Sequence, residues 1–247
     1  MIHTMMDTST PALTALPFFL FHRRMNPAPA PLRVKICCIS SPEEARMAAR
    51  AGADLLGLVG PMPGGPGVLT PDEARAIVPA VPPPARAILL TSSETAAGIV
   101  AGAAHAGVTA VQVVRHIPAE EASALAASGL HYVQVIHVED AGALDLIDVY
   151  APHANAFLLD SGRPASGELG GTGRVHDWTV SAEFCRRAPL PVFLAGGLTP
   201  DTIADAVARV RPAGVDICSG LRRDGKLDPG LLAAFMAALG KDAGADA

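Results

Sequence analysis

Cysteine, charge and a nucleotide-binding fingerprint are what this chain is short of. Only four cysteines occur in 247 residues, Cys37, Cys38, Cys185 and Cys218. They are too few and too scattered for a disulfide framework, and the adjacent pair lacks the C-x-x-C spacing of zinc or redox sites. A reducing cytoplasm is the expected setting. Charged residues make up 17% of the chain and the formal net charge is −5, which gives no electrostatic case for nucleic acid. The apolar stretch at residues 12–21 is too short to span a membrane, and its basic residues, Arg23 and Arg24, follow it instead of preceding it as in a signal peptide. Neither nucleic acid nor a membrane is expected as a partner. No G-x-G-x-x-G opens a strand-like run, so the usual evidence for a dinucleotide fold is missing.

What is present is apolar surface: half the residues are hydrophobic, enough for one large domain with a substantial core. Residues 1–31 scatter Thr, Pro and Met, and Pro27, Pro29 and Pro31 make a stiff entry. This segment reads as an extension outside the fold, with the domain at 32–240 and a tail at 241–247. From Arg33 onward one pattern recurs: a short β-branched run, a polar or Gly loop, then an Ala-rich amphipathic stretch. The strand candidates are Val34–Ile39, Asp54–Val59, Ala87–Leu90, Ala110–Val114, Tyr132–Val138, Ala156–Leu159, Val192–Ala195 and Val215–Ser219. Ser41-Pro42, Thr70-Pro71 and Thr199-Pro200 each place a capping hydroxyl before a proline with acids following, which predicts a helix start. Further helices are expected at Glu94–Ala106, Ala119–Ser128, Ala143–Ala151, Val180–Arg187 and Pro229–Leu239. Eight strands alternating with helices fit a single-domain α/β (β/α)₈ TIM barrel, with an open doubly wound sheet as the alternative. The missing fingerprint favours the barrel.

In such a barrel chemistry sits where strands end. The sixth run delivers Asp160 to its end, where an apolar neighbourhood favours the neutral, proton-donating carboxyl. A Gly-rich loop follows it, closing with Gly171, Thr172 and Gly173. Gly196-Gly197 after strand 7 and Ser219-Gly220 after strand 8 open two more loops, and this pair commonly holds a phosphate on backbone N–H groups. Cys37 ends strand 1 and reads as base, nucleophile or core; Cys185 and Cys218 read as packing residues. On a closed ring strands 1 and 6 flank strands 7 and 8, so Cys37 and Asp160 face each other across the anion cradle. That suits a phosphosugar whose reacting carbons lie between an acid and a base.

Val34-Lys35-Ile36-Cys37, Ala51-Gly52-Ala53-Asp54, Ala110-Val111-Gln112, Phe157-Leu158-Leu159-Asp160-Ser161, Gly170-Gly171-Thr172-Gly173, Asp177-Trp178, Leu194-Ala195-Gly196-Gly197-Leu198 and Gly214-Val215-Asp216 with Ser219-Gly220 resemble phosphoribosylanthranilate isomerase, in order from about residue 33 to 240. The resemblance implies a cofactor-free enzyme of tryptophan biosynthesis, monomer or homodimer, that performs an Amadori rearrangement of N-(phosphoribosyl)anthranilate. It assigns Asp160 as general acid and Cys37 as general base. It places the phosphate on Gly171, Thr172, Gly173, Gly196, Gly197, Ser219 and Gly220; Lys35 and Gln112, and Arg163 away from the family's own position, are further candidate substrate contacts.

The chain departs from that family at three points. The family's K-I-C-G has Cys38 for its glycine. Its S-P-R after strand 2, whose arginine is placed for the anthranilate carboxylate, is Gly65-Pro66-Gly67. Its Q-L-H-G after strand 4 is Gln112-Val113-Val114-Arg115, with Arg115 or Arg163 as stand-ins for the lost cation. Three other readings follow: a different phosphosugar amine as substrate, a phosphate-binding barrel without the activity, or a divalent-metal set from His116, His137, Glu139 and Asp160.

Overall fold

A computed structural model describes residues 31–162 and 177–241. Apart from Pro31 and Lys241, the expected extension and tail lie outside the described residues. Eight parallel strands close on themselves in the order β1 to β8. They are β1 (Arg33–Ile36), β2 (Leu55–Val59), β3 (Arg86–Thr91), β4 (Ala110–Val113), β5 (His131–His137), β6 (Ala156–Asp160), β7 (Val192–Leu194) and β8 (Gly214–Ile217). Strand β1 pairs with β8 over Arg33↔Gly214 to Ile36↔Ile217, so the sheet has no open edge and the doubly wound alternative falls.

The helices are α1 (Pro42–Arg50), α2 (Pro71–Ile77), α3 (Ala96–Ala106), α4 (Ala119–Ala127), α5 (Leu146–Tyr150), α6 (Trp178–Arg187), α7 (Ile203–Val210) and α8 (Pro229–Ala238). Two start as their sequence predicts. The Ser41 hydroxyl accepts from Glu44 N–H at 3.2 Å, and Thr70 and Glu73 form a reciprocal capping box with Pro71 at the first helical position. The third start is corrected: Thr199 N–H is taken by the Thr202 hydroxyl at 3.0 Å, so Thr199–Thr202 is a turn and α7 begins at Ile203. The stretch expected as one helix from Ala143 is a 3₁₀ turn, Ala141–Asp145, running into α5. Strand β1 stops at Ile36 and not Ile39 because Cys38 has φ +62, outside the extended region. A hairpin that the periodicity does not announce follows β8: β9 (Arg222–Arg223) and β10 (Lys226–Leu227).

Alternate residues divide each strand between two cores. Val34, Leu56, Val111, Ile136 and Leu159 face the helices; Leu55, Ile88, Ala110, Val133, Ala156 and Phe193 fill the barrel. The barrel floor depends on one glycine. A Cβ on Gly214 would lie 2.4 Å from the Phe193 ring, so the ring occupies what would be side-chain space. Among the described residues no helix is long and apolar enough to cross a membrane.

His131, at the start of β5, is buried, and burial, with Arg86 nearby, lowers its pKa from 6.5 to about 4. Its folded pKa is depressed, so below the unfolded value the unfolded state binds more protons and stability falls with pH. Wild-type protein is expected to lose stability, by up to about 3 kcal/mol, between pH 6.5 and about 4 beyond the loss shown by His131→Leu. Urea midpoints of the two proteins across that window check this; parallel curves would remove His131 from the account.

Candidate active site

The strands end in a cavity whose wall includes Cys37, Gln112, Asp160, Gly196, Gly197 and Ser219. Acid and thiol therefore share one cavity, as the ring geometry predicts. Asp160 is half-buried and its Oδ1 accepts from Ser161 N–H at 2.7 Å. Gly196 and Gly197 hold φ of +84 and +64, the left-handed region that glycine enters without steric cost. Gly220 does not line the cavity; a Cβ there would meet the Leu198 carbonyl oxygen at 2.2 Å. Its role is to let the β7 and β8 loops close on each other. Arg163, Gly171, Thr172 and Gly173 lie outside the described residues.

Beneath the cavity is a charge pair. Lys35 and Asp216 are register partners on β1 and β8, and Lys35 Nζ donates to Asp216 Oδ2 at 2.8 Å with both side chains almost fully buried. Burial alone would lower the Lys35 ammonium, but the Asp216 charge and then Cys37 raise it above its ordinary value. Burial pushes Asp216 up, and Lys35 offsets part of that. The ammonium lies beneath the Cys37 sulfur, both near one point over Gly57, and Lys35 does not reach the cavity wall. Asp216 does reach the wall, and its Oδ1 is buried with no hydrogen-bond partner among the described residues, as is Gln112 Oε1. Two unsatisfied acceptors at a cavity suit donors on a ligand, since an unmatched buried polar group costs free energy. Gly57 makes the pair possible: a Cβ there would sit 2.9 Å from Cys37 Sγ and 3.0 Å from Lys35 Nζ.

The sequence reading missed Asp216 and Cys218. Asp216 is signalled by parity, since it shares the inward face of β8 with the residue two places on and opposes a lysine on β1. Cys218, read as packing, lines the cavity with Cys38. Cys185, on α6, is the packing residue expected, its thiol pushed up to about 12 by burial. The neighbouring Cys218 and Cys37 thiols, with burial, raise the Cys38 thiol, while Cys38 and Arg222 lower Cys218.

The metal alternative does not assemble. His137 Nε2 lies 2.9 Å from the Val114 carbonyl oxygen, His116 stacks near His137 and Tyr150, Glu139 is exposed, and neither histidine lines the cavity. Among the described residues no three His, Cys, Asp or Glu side chains are placed to hold a metal ion. Arg115, a proposed stand-in cation, pairs with Glu94 at 3.2 Å and does not line the cavity either.

A closed (β/α)₈ barrel with Asp160 and Cys37 on one glycine-rimmed cavity defines a protein of the barrel class with a candidate site at the strand ends. The family model for N-(5'-phosphoribosyl)anthranilate isomerase matches residues 34–238. The isomerase of Methanocella arvoryzae is 36% identical over 194 residues, spanning 78% of this chain and 90% of that protein. That of Moorella thermoacetica is 35% identical over 213 residues, 85% and 90% of the two chains. The crystal structure of the Thermus thermophilus isomerase superimposes with a TM-score of 0.74 at 28% identity, covering 85% of this chain and 98% of that one. A phosphoribosylanthranilate isomerase bound to reduced 1-(o-carboxyphenylamino)-1-deoxyribulose 5-phosphate superimposes at 0.72 and 26% identity, over 85% and 98%. The chain belongs to the N-(5'-phosphoribosyl)anthranilate isomerase family.

Breaking the charge pair tests its part in the site. Lys35→Met leaves Asp216 buried and uncompensated, which is expected to cost about 3–5 kcal/mol, whereas Lys35→Met with Asp216→Leu is expected to recover most of that loss. Equilibrium urea unfolding compares them; a double variant no more stable than the single one would show that the unpaired carboxylate is not the cause.

Proposed function

We propose that this protein isomerises N-(5'-phosphoribosyl)anthranilate with Asp160 as general acid and Cys37 as general base. The observation that carries the reading is the placement of both side chains on one cavity whose rim is Gly196, Gly197 and Ser219. With the sugar phosphate on those loops, the ribose C1 and C2 lie between the two side chains. Asp160 gives a proton to the ring oxygen as the C1–O bond breaks, leaving an iminium at C1. Cys37 then takes the proton from C2, and the enolamine tautomerises to the C2 ketone with a new C1–H bond. No atom is gained or lost. Unpartnered Asp216 Oδ1 and Gln112 Oε1 are acceptors for sugar hydroxyls, and Lys35 is a positioning residue that fixes the Cys37 sulfur. Gly171, Thr172 and Gly173 are the remaining proposed phosphate contacts and Arg163 a proposed substrate contact, all following β6 in the sequence.

Asp160→Asn and Cys37→Ser are each expected to lower turnover by roughly 10²–10⁴-fold with little change in folding. Purified-enzyme kinetics, with complementation of a tryptophan auxotroph lacking this isomerase, check it. Wild-type turnover in Cys37→Ser would remove the thiol from the chemistry.

One observation favours a second reading, in which the amine part of the substrate lacks a carboxylate. Gly67 has φ +69, and a Cβ there would lie 2.9 Å from Cys38 Cβ. Gly67→Arg alone is therefore strained, and an arginine needs Cys38→Gly as well. An arginine–carboxylate contact contributes about 1.5–3 kcal/mol, or roughly ten- to a hundredfold in binding. The double variant Cys38→Gly/Gly67→Arg is expected to lower KM for phosphoribosylanthranilate by that factor. An unchanged KM beside strong native activity would show that the carboxylate is held from elsewhere, and the second reading would fall.

A further inference from the structure

Three thiols meet at the rim of the cavity. Ile36 and Ile217 are in register and Cys37 N–H donates to the Ile217 carbonyl at 2.8 Å, so Cys37 and Cys218 are the next residues along paired strands. Cys38 has a left-handed backbone, φ +62; its side chain lines the same cavity as Cys218, and Cys218 packs against the cluster that holds Cys37 and Cys38. All three are free thiols, and Cys218 is the least buried. The isomerisation needs one of them. From this geometry we infer that Cys38 and Cys218 form a peroxide-oxidisable dithiol at the mouth of the active site, with Cys218 attacking and Cys38 resolving.

Cys218 suits the first step because it is the least buried of the three on the cavity wall, and the Cys38 thiol and Arg222 guanidinium beside it lower its own thiol, a thiolate beside a cation being the reactive form. Arg222 is itself fixed, donating to the Cys37 and Cys38 carbonyls and to Glu44. Cys218 sulfur attacks one oxygen of hydrogen peroxide; the O–O bond breaks, hydroxide leaves and takes up a proton as water, and a sulfenic acid remains. Cys38 sulfur then attacks the Cys218 sulfur, an S–S bond forms, the S–O bond breaks, and the hydroxyl leaves with the Cys38 proton as a second water. Two thiols lose two electrons and one peroxide gains them. The bond draws the segment after β1 onto β8 beside Cys37 and Ser219, which closes the site.

The dithiol stands apart from the isomerase reading; only the loss of turnover rests on it. Reduced full-length protein is treated with hydrogen peroxide, alkylated and mapped by mass spectrometry. The expected product joins Cys38 to Cys218, leaves Cys37 and Cys185 alkylated, and reverts with dithiothreitol. Cys38→Ser is expected to stop at a Cys218 sulfenic acid trapped by dimedone, and Cys218→Ser to form no bond. In wild type, turnover is lost with the bond and returns on reduction, each protein being compared with its own untreated value. Four alkylatable cysteines after treatment, a bond to Cys37, or oxidation confined to Cys37 would overturn the dithiol. A mapped bond with full turnover would overturn the closure alone, and protein inactive before treatment would count against the isomerase reading while the map still decides the dithiol.

Discussion

Two opposite charges inside the barrel set the terms for the rest of the site. Lys35 and Asp216 sit on the strands that close the ring, and their contact at 2.8 Å lies where a slip of one residue on either strand would turn a charge toward the helices. An unpaired buried ion costs several kcal/mol, so the pair resists any register but the observed one. Its worth is specificity as much as stability, and that register is the one that brings Cys37 and Asp216 to the same cavity. Gly57 is the local consequence, since the Lys35 ammonium and Cys37 sulfur together leave no room for a side chain on β2.

A second buried pair does for the loops what the first does for the strands. Glu44, on α1, accepts from Ser40 N–H, Leu227 N–H and Arg222, while Arg222 reaches the carbonyls of Cys37 and Cys38. One carboxylate and one guanidinium thus join the start of α1, the segment after β1 and the hairpin after β8. The hydrogen bonds hold Glu44 below the ordinary carboxylate range despite burial. Cys37 therefore has a cation on two sides, the Lys35 ammonium beneath its sulfur and Arg222 on its carbonyl.

The strands were legible because parallel barrel strands are buried on both faces and read as short apolar runs; β2, at Leu55–Val59, is buried at every position. Caps were legible where a hydroxyl, a proline and an acid coincided, as at Thr70. The same signs misled at Thr199, whose N–H and hydroxyl both bond the Thr202 hydroxyl within a turn. Cys37 and Asp160 were legible because each interrupts or ends an apolar strand. Asp216 and Cys218 were missed: parity along β8 marks both as inward, but their meaning lies in what stands opposite on β1, for Asp216 a lysine 181 residues away. The hairpin at Arg222–Leu227 is too short for its strands to show a period.

The departures at positions 38 and 67, separate in the sequence, are one change in space. A left-handed backbone asks for glycine, and a side-chain-bearing residue there costs on the order of 1–2 kcal/mol; Cys38 takes that conformation at φ +62. The Cβ it adds occupies the volume that a Cβ at position 67 would need. With cysteine at 38, residue 67 is confined to glycine and no arginine can project from it without moving the β1 segment. The loop Gly64-Gly65-Pro66 then lines the cavity with backbone and ring instead of a cation. The same side chain that removes the arginine's footing places a thiol against Cys218. The second substrate reading and the proposed dithiol thus rest on one feature, a side chain at the left-handed position 38.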